Sequence, residues 1–117
     1  MYKTFSQVDS KGVLIEVNAE EVELQHYCEL NGQIVEQSTQ DSIIGAHIFL
    51  QNKRAEFITV SDCNGRFRII NIPPDSYQFA VQLLGYHTFV DSITFSANES
   101  KTIYVELLQS PFEIGLY

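Results

Sequence analysis

The chain has 117 residues, 44% of them hydrophobic and 19% charged, with a formal net charge of −8. That length suits one domain with one core. The acidic balance, with only seven Lys and Arg, disfavours nucleic acid and anionic membrane surfaces, whose phosphates call for clustered cations.

Apolar runs such as "GVLI" and "FAV" fall far short of the roughly 20 residues of a membrane helix, so no direct membrane insertion is expected. "MYKTFSQVDSKG" carries no apolar signal-peptide region. These features predict a cytoplasmic protein if the chain is complete as written. If it is an excised module of an exported protein, the cell envelope or periplasm is expected.

In chain order, Val13, Ile15 and Val17 alternate, as do Val22, Leu24 and His26. Residues 1–27 are therefore expected to add a strand or hairpin. Acids cluster here, at Glu16, Glu20, Glu21, Glu23 and Glu29. A solvated hairpin face accounts for them, and a docking face for a basic partner is the functional alternative. Period-two alternation then continues to residue 108 and places successive side chains on opposite sheet faces. Cys28, Leu30 and Ile34 form one set, with Gly32 between them. Ala46, Ile48 and Leu50 oppose His47 and Phe49, and Phe67 and Ile69 oppose Arg66, Arg68 and Ile70. Tyr77, Phe79, Val81 and Leu83 form the most regular run, and Ile103, Val105 and Leu107 alternate with Thr102, Tyr104, Glu106 and Leu108. Strands are expected at about 28–36, 44–51, 56–61, 66–71, 77–84, 86–95 and 102–108. The loops "QSTQDS" and "SANESK" and the Asn-Gly of "SDCNGR" separate them, the last a hairpin signal because both positions tolerate positive φ. Pro73 and Pro74 stop the strand before them and stiffen the approach to Tyr77, and Gly85 breaks the strand after it. Short strands with frequent turns predict an all-β sandwich.

Five stretches carry a resemblance. "GQIVE", "IIGAHIFL", "VSDCNGRFRI", "NIPPDSYQFAV" and "LLGY" follow one another at a spacing that resembles the carboxypeptidase regulatory-like domain, a transthyretin-like β-sandwich. The match spans about residues 30–108 and rests on Gly45, Asp62, Gly65, Phe67, Pro73, Pro74, Tyr77, Gly85 and Tyr86. Ile44 departs from the usual proline or leucine, and Asp75 from the usual glycine. The resemblance implies a seven-stranded Greek-key sandwich over 28–108, an N-terminal extension at 1–27, and a tail or linker at 109–117. It also implies a non-catalytic accessory module, whose hosts include carboxypeptidases, TonB-dependent outer-membrane transporters and other bacterial envelope proteins. "SPFEIGLY" would then begin a linker or add an edge strand.

Chemistry-bearing residues are sparse. His26 and Cys28 share a strand face, but His47 and His87 lie on other strands, so no zinc set of three or four ligands forms. Asp62 and Asn64 offer two oxygens where calcium needs six or more, and a turn explains both. No cysteine-hydrolase signature accompanies Cys28, and the C-terminal "Y-R-G-S" of the fold's hydroxyisourate hydrolases is missing. Cys28 and Cys63 belong at opposite ends of the resembled topology, too far apart for a disulfide, and both are expected as free thiols. Asn98 opens an Asn-Glu-Ser glycosylation tripeptide in a polar loop. Neither a catalytic residue, a metal nor a cofactor is expected.

Phe49, Ile70, Leu84, Tyr104 and Leu108 alternate away from the expected core. They are the candidate interaction surface, for a protein partner or for a neighbouring domain of a parent chain. Edge strands offer pairing as well, including between copies of the chain. The alternatives are a periplasmic N-terminal module of a TonB-dependent nutrient transporter and a carbohydrate-binding domain. The second would use Tyr2, Tyr86, Tyr104 and Tyr117, since the chain has no Trp.

Overall fold

A computed structural model describes residues 26–110. The expected N-terminal strand, its acids up to Glu23 and the "SPFEIGLY" stretch from Pro111 onward lie outside the described residues. Seven strands are formed among them: β1 (Cys28–Glu36), β2 (His47–Gln51), β3 (Glu56–Val60), β4 (Arg66–Ile72), β5 (Ser76–Gln82), β6 (Phe89–Thr94) and β7 (Ser100–Leu107). They make two sheets, ordered β4-β1-β7 and β3-β2-β5-β6. β1 runs antiparallel to β4 and parallel to β7, and every pair in the other sheet is antiparallel.

The inward phase is the one that the alternation predicts. Leu30 and Ile34 of β1, Ile48 and Leu50 of β2, Phe79 and Val81 of β5 and Val105 and Leu107 of β7 fill the space between the sheets. A fully buried side chain of this size contributes about 1.5–3 kcal/mol, so the inner rows dominate stability and fix strand register. Gly32 also faces inward, where its bareness admits the ring of its cross-strand partner Phe67, stacked on Phe79 at 6.2 Å between centroids.

The double proline does what its rigidity suggests. Tyr77 is buried among Phe57 and Phe95, with ring centroids 6.3 and 6.0 Å away, and its hydroxyl donates to the Pro73 carbonyl at 2.6 Å. The stiffened bend is thereby fastened to the core by the residue that it delivers. Ser61, also buried, is fully engaged: its hydroxyl donates to the Ile43 carbonyl at 2.7 Å and accepts from the Ala46 N–H at 2.9 Å. This bracket holds the bend through Gly45, where φ is +85°, and it explains why β2 begins at His47 and not at Ile44.

Two further details correct the expected pattern. The Asn-Gly segment is not a two-residue hairpin, because φ is positive at Gly65 (+73°) and not at Asn64. The Asp62 carboxylate accepts from the Asn64 and Arg66 N–H groups, both at 2.9 Å, while the Gly65 N–H donates to the Asp62 carbonyl at 2.8 Å. That is a type I turn closed by a left-handed glycine. It carries the chain from β3 in one sheet to β4 in the other. The run expected at 86–95 is shortened to Phe89–Thr94 because Tyr86 is bridged to Gln109, beyond the end of β7.

Cys28 opens β1 and is buried, and Cys63 is exposed in the turn before β4; both are free. β1 starts opposite Ile72 at the far end of β4, so most of a strand length separates the two thiols. Asn71, with φ of +61°, marks a bulge where β4 shifts register against β1.

Three carboxylates, the exposed Asp62 and the half-buried Glu29 and Glu99, link stability to pH. Bonds from the Arg66 and then the Asn64 N–H hold Asp62 below its ordinary value. Arg68 and then Asn31 lower Glu29, and the Ser96 N–H and then Lys101 lower Glu99. A depressed carboxylate stabilises the fold above its unfolded pKa of about 4, and that stabilisation is lost as pH falls through the lower folded value. Melting temperature is therefore expected to hold from about pH 7 to 5 and to drop below about pH 4. Asp62→Asn should flatten part of that drop in thermal melts followed by circular dichroism; an unchanged acid profile would exclude Asp62 as a contributor.

Candidate functional site

The outer face of the sheet β3-β2-β5-β6 carries three rows, each running across strands. Phe49 of β2 is paired with Ile58 of β3 on one side and with Ala80 of β5 on the other, and Ala80 is paired with Val90 of β6. The middle row is thus Ile58–Phe49–Ala80–Val90, apolar across all four strands. Its end residues are well exposed, Ile58 at 56% and Val90 at 55%. On one side lies the polar row Glu56–Gln51–Gln78–Ser92, and on the other Val60, His47 and Gln82. Glu56 is the only carboxylate in the three rows. Phe49, Ala80 and Val90 share a shallow groove on this face with the polar Gln51, Glu56, Gln78, Gln82 and Thr88.

The other outer face is different in character. Glu29, Asn31 and Gln33 occupy its middle strand, and Glu29 is bonded to the Arg68 guanidinium at 3.0 and 3.2 Å. Exposed pairs of this kind contribute little to stability, but they keep this face polar. Ile70 and Tyr104 sit on its two edge strands, with β1 between them. The Tyr104 hydroxyl donates to the Gln40 amide oxygen at 2.7 Å.

The five candidate surface residues are therefore not gathered into one patch. Phe49 lies on the four-stranded face, and Ile70 and Tyr104 lie on the three-stranded one. Leu84, in the loop after β5, and Leu108, just past β7, share one end of the sandwich. There the His87 N–H donates to the Leu108 carbonyl at 2.9 Å and the Ser110 N–H to the Gly85 carbonyl at 2.8 Å. Tyr86 reaches Glu36 with its hydroxyl at 3.3 Å, so Gly85 and Tyr86 fasten this end of the molecule. Ile58, Ala80 and Val90 were not among the sequence candidates. The outward phases of "EFITV", "SYQFAVQ" and "FVDSIT" were their available signals, but only strand order shows that they meet Phe49.

Among the described residues, no group of three or more His, Cys, Asp or Glu is placed to hold a metal ion. None of the helix length needed to cross a membrane is present among them either.

The family model of the CarboxypepD_reg-like domain matches residues 30–115. The chain belongs to that family. A comparison with curated protein sequences found no match. Among solved structures, the CarboxypepD_reg-like chain is similar to the Bacillus anthracis TIE protein, at 15% identity and a TM-score of 0.63, covering 83% of this chain and 18% of that one. It is also similar to BcpA, the major pilin subunit of Bacillus cereus, at 17% identity and a TM-score of 0.62, with 73% and 31% covered. A third similarity, to 3-chlorocatechol 1,2-dioxygenase from Rhodococcus opacus 1CP, has 11% identity and a TM-score of 0.61, with 77% and 63% covered. At such identities the likeness is one of β-sandwich fold, and fold does not carry chemistry. The chain spans less than two thirds of each of these structures. Family membership supports a non-catalytic β-sandwich module.

Proposed function

We propose that this chain is a protein-interaction module that docks through the outer face of β3-β2-β5-β6 onto an apolar surface of a neighbouring domain. The observation that carries this reading is the unbroken apolar row Ile58–Phe49–Ala80–Val90, open at its ends between the polar row Glu56–Gln51–Gln78–Ser92 and the mixed row Val60–His47–Gln82. Burying it releases water at about 25 cal/mol per Å², and the near absence of charge in the three rows keeps desolvation cheap.

Size supports a tethered partner over a freely diffusing one. Four strands about 4.8 Å apart, read over five residues of about 3.3 Å each, give a face of roughly 300 Å². A stable free complex needs about 800 Å² per partner. A domain in the same polypeptide is already present at about millimolar effective concentration, which offsets the small area. The partial coverage of every longer solved relative named above is compatible with a module of that kind.

The test is a photo-crosslinking residue placed at position 49 of the protein in its source cells, with position 31 on the opposite face as control. A defined cross-link at 49 that is lost when Ile58→Lys and Val90→Lys are added is expected. Absence of a link at 49, or equal labelling at 31, would overturn the proposal.

A further inference from the structure

β1 and β7, the first and last described strands, are neighbours and run parallel. Their register is unbroken from Glu29–Ser100 to Glu36–Leu107. Bonds close the ladder at both ends: the Glu29 N–H donates to the Glu99 carbonyl at 3.0 Å, and the Gln37 N–H to the Leu107 carbonyl at 2.9 Å. At about 3.3 Å per residue the ladder is roughly 25 Å long. Because the two strands are parallel, the backbone enters β1 at one end of the ladder and leaves β7 at the other.

Both of these points are tied down beyond the ladder itself. Ahead of β1, the His26 carbonyl accepts from the Asn98 N–H at 3.0 Å, and the Cys28 thiol donates to the Ser96 carbonyl at 3.0 Å. Past β7, the Leu108 carbonyl accepts from the His87 N–H at 2.9 Å, and the Ser110 N–H donates to the Gly85 carbonyl at 2.8 Å. β1 is also the middle strand of its sheet, held on its other flank by β4 from Cys28–Ile72 to Gln33–Arg66. Its Leu30, Ile34 and Val35 are buried. Sliding β1 lengthwise therefore breaks two ladders and drags these side chains across the core.

We propose that this sandwich is a tension-bearing link in its chain, with the β1–β7 ladder as the clamp. Tension on the two ends of the chain pulls β1 and β7 past each other along their own axes. The load then falls on all the ladder bonds together, and none opens ahead of the others. Pulled apart from one end, the same ladder would open as a zipper, one weak bond at a time. The chain from Ser38 to Ser96 lies between the clamped strands in sequence, and it is shielded from the tension until the clamp ruptures. The clamp belongs to the three-stranded sheet, so it stands or falls separately from docking on the face of β3-β2-β5-β6.

Single-molecule stretching of the whole 117-residue chain tests this. One variant serves for both directions of pull. It carries Ser38→Cys in the exposed turn after β1, and Cys63→Ser to remove the exposed native thiol. One handle stays at the C-terminus, and the other is attached at the N-terminus or at position 38. The second arrangement draws the end of β1 away from the end of β7 and peels the ladder. Stability is the same in both, so a difference reports direction alone. The expected rupture force from the chain ends is at least about threefold that from position 38 at one loading rate, because forced unfolding follows the barrier and not the equilibrium. Rupture from the ends should come as a single step of about 26 nm, the extended length of residues 28–107 at roughly 3.6 Å each less the folded span. Equal forces in the two directions, a lower force from the ends, or opening from the ends in several shorter steps would each overturn the proposal.

Discussion

Gly65→Ala is expected to destabilise the fold by about 3–4 kcal/mol. Two causes combine. The left-handed φ of +73° costs an L side chain about 1–2 kcal/mol by itself. The new Cβ would also fall against the Ile34 carbonyl oxygen, well inside contact distance, with the Ile43 nitrogen at 3.2 Å. Both are backbone atoms and cannot swing away, and Ile34 is itself tied to the site, its N–H donating to the Gly65 carbonyl at 2.7 Å. A domain of this size is stable by only about 5–15 kcal/mol, so the variant should melt roughly 15 °C lower. Gly45→Ala provides the comparison. Its φ is +85°, but nothing lies within 4 Å of its Cβ position, so only the conformational cost of about 1 kcal/mol is expected. Denaturant unfolding of both variants measures the difference; equal losses would mean that close approach of β1 contributes nothing.

Gly32→Val is expected to cost about 3 kcal/mol, for a different reason. The backbone here is ordinary strand, so a β-branched residue would on propensity alone be favourable by up to about 1 kcal/mol. Packing reverses the sign. A Cβ at this position would overlap the Phe67 ring and touch Ile103 Cγ2 at 3.0 Å. The ring would have to leave its stack on Phe79, and overpacking of this kind costs about 1–3 kcal/mol or more. A double-mutant cycle identifies the cause. If the ring is what the valine meets, Gly32→Val combined with Phe67→Leu should cost less than the sum of the two single changes. Strict additivity would place the damage elsewhere.

How much could be read beforehand differs between core and surface. The inward set needed only the period of two, because a strand that buries one face reports that face locally. The β1 bounds, Cys28–Glu36, were legible for the same reason. Turn chemistry was legible in position and not in type. Asn-Gly marked a reversal, but Asp62, two residues earlier, decided the geometry by accepting two N–H groups with its side chain. The candidate site was the least legible part. Phe49, Ile70 and Tyr104 are outward by the same alternation, yet they stand on opposite sides of the sandwich. Alternation within one strand says nothing about which strand lies beside it, and the stripe through Ile58, Phe49, Ala80 and Val90 exists only through pairing.

The parallel pairing of β1 with β7 also bears on the order of events during synthesis. Glu29 of the first described strand lies opposite Ser100 of the last, and β1 is the middle strand of its sheet. Until β7 leaves the ribosome, β1 has a partner on one flank only and the inner rows lack Val105 and Leu107. The sandwich therefore cannot close around a growing chain and must be completed after the final strand emerges. Long-range closure of this kind places folding in the slow range for small domains, about milliseconds to seconds. During that interval an apolar, half-paired β1 is exposed to neighbouring nascent chains.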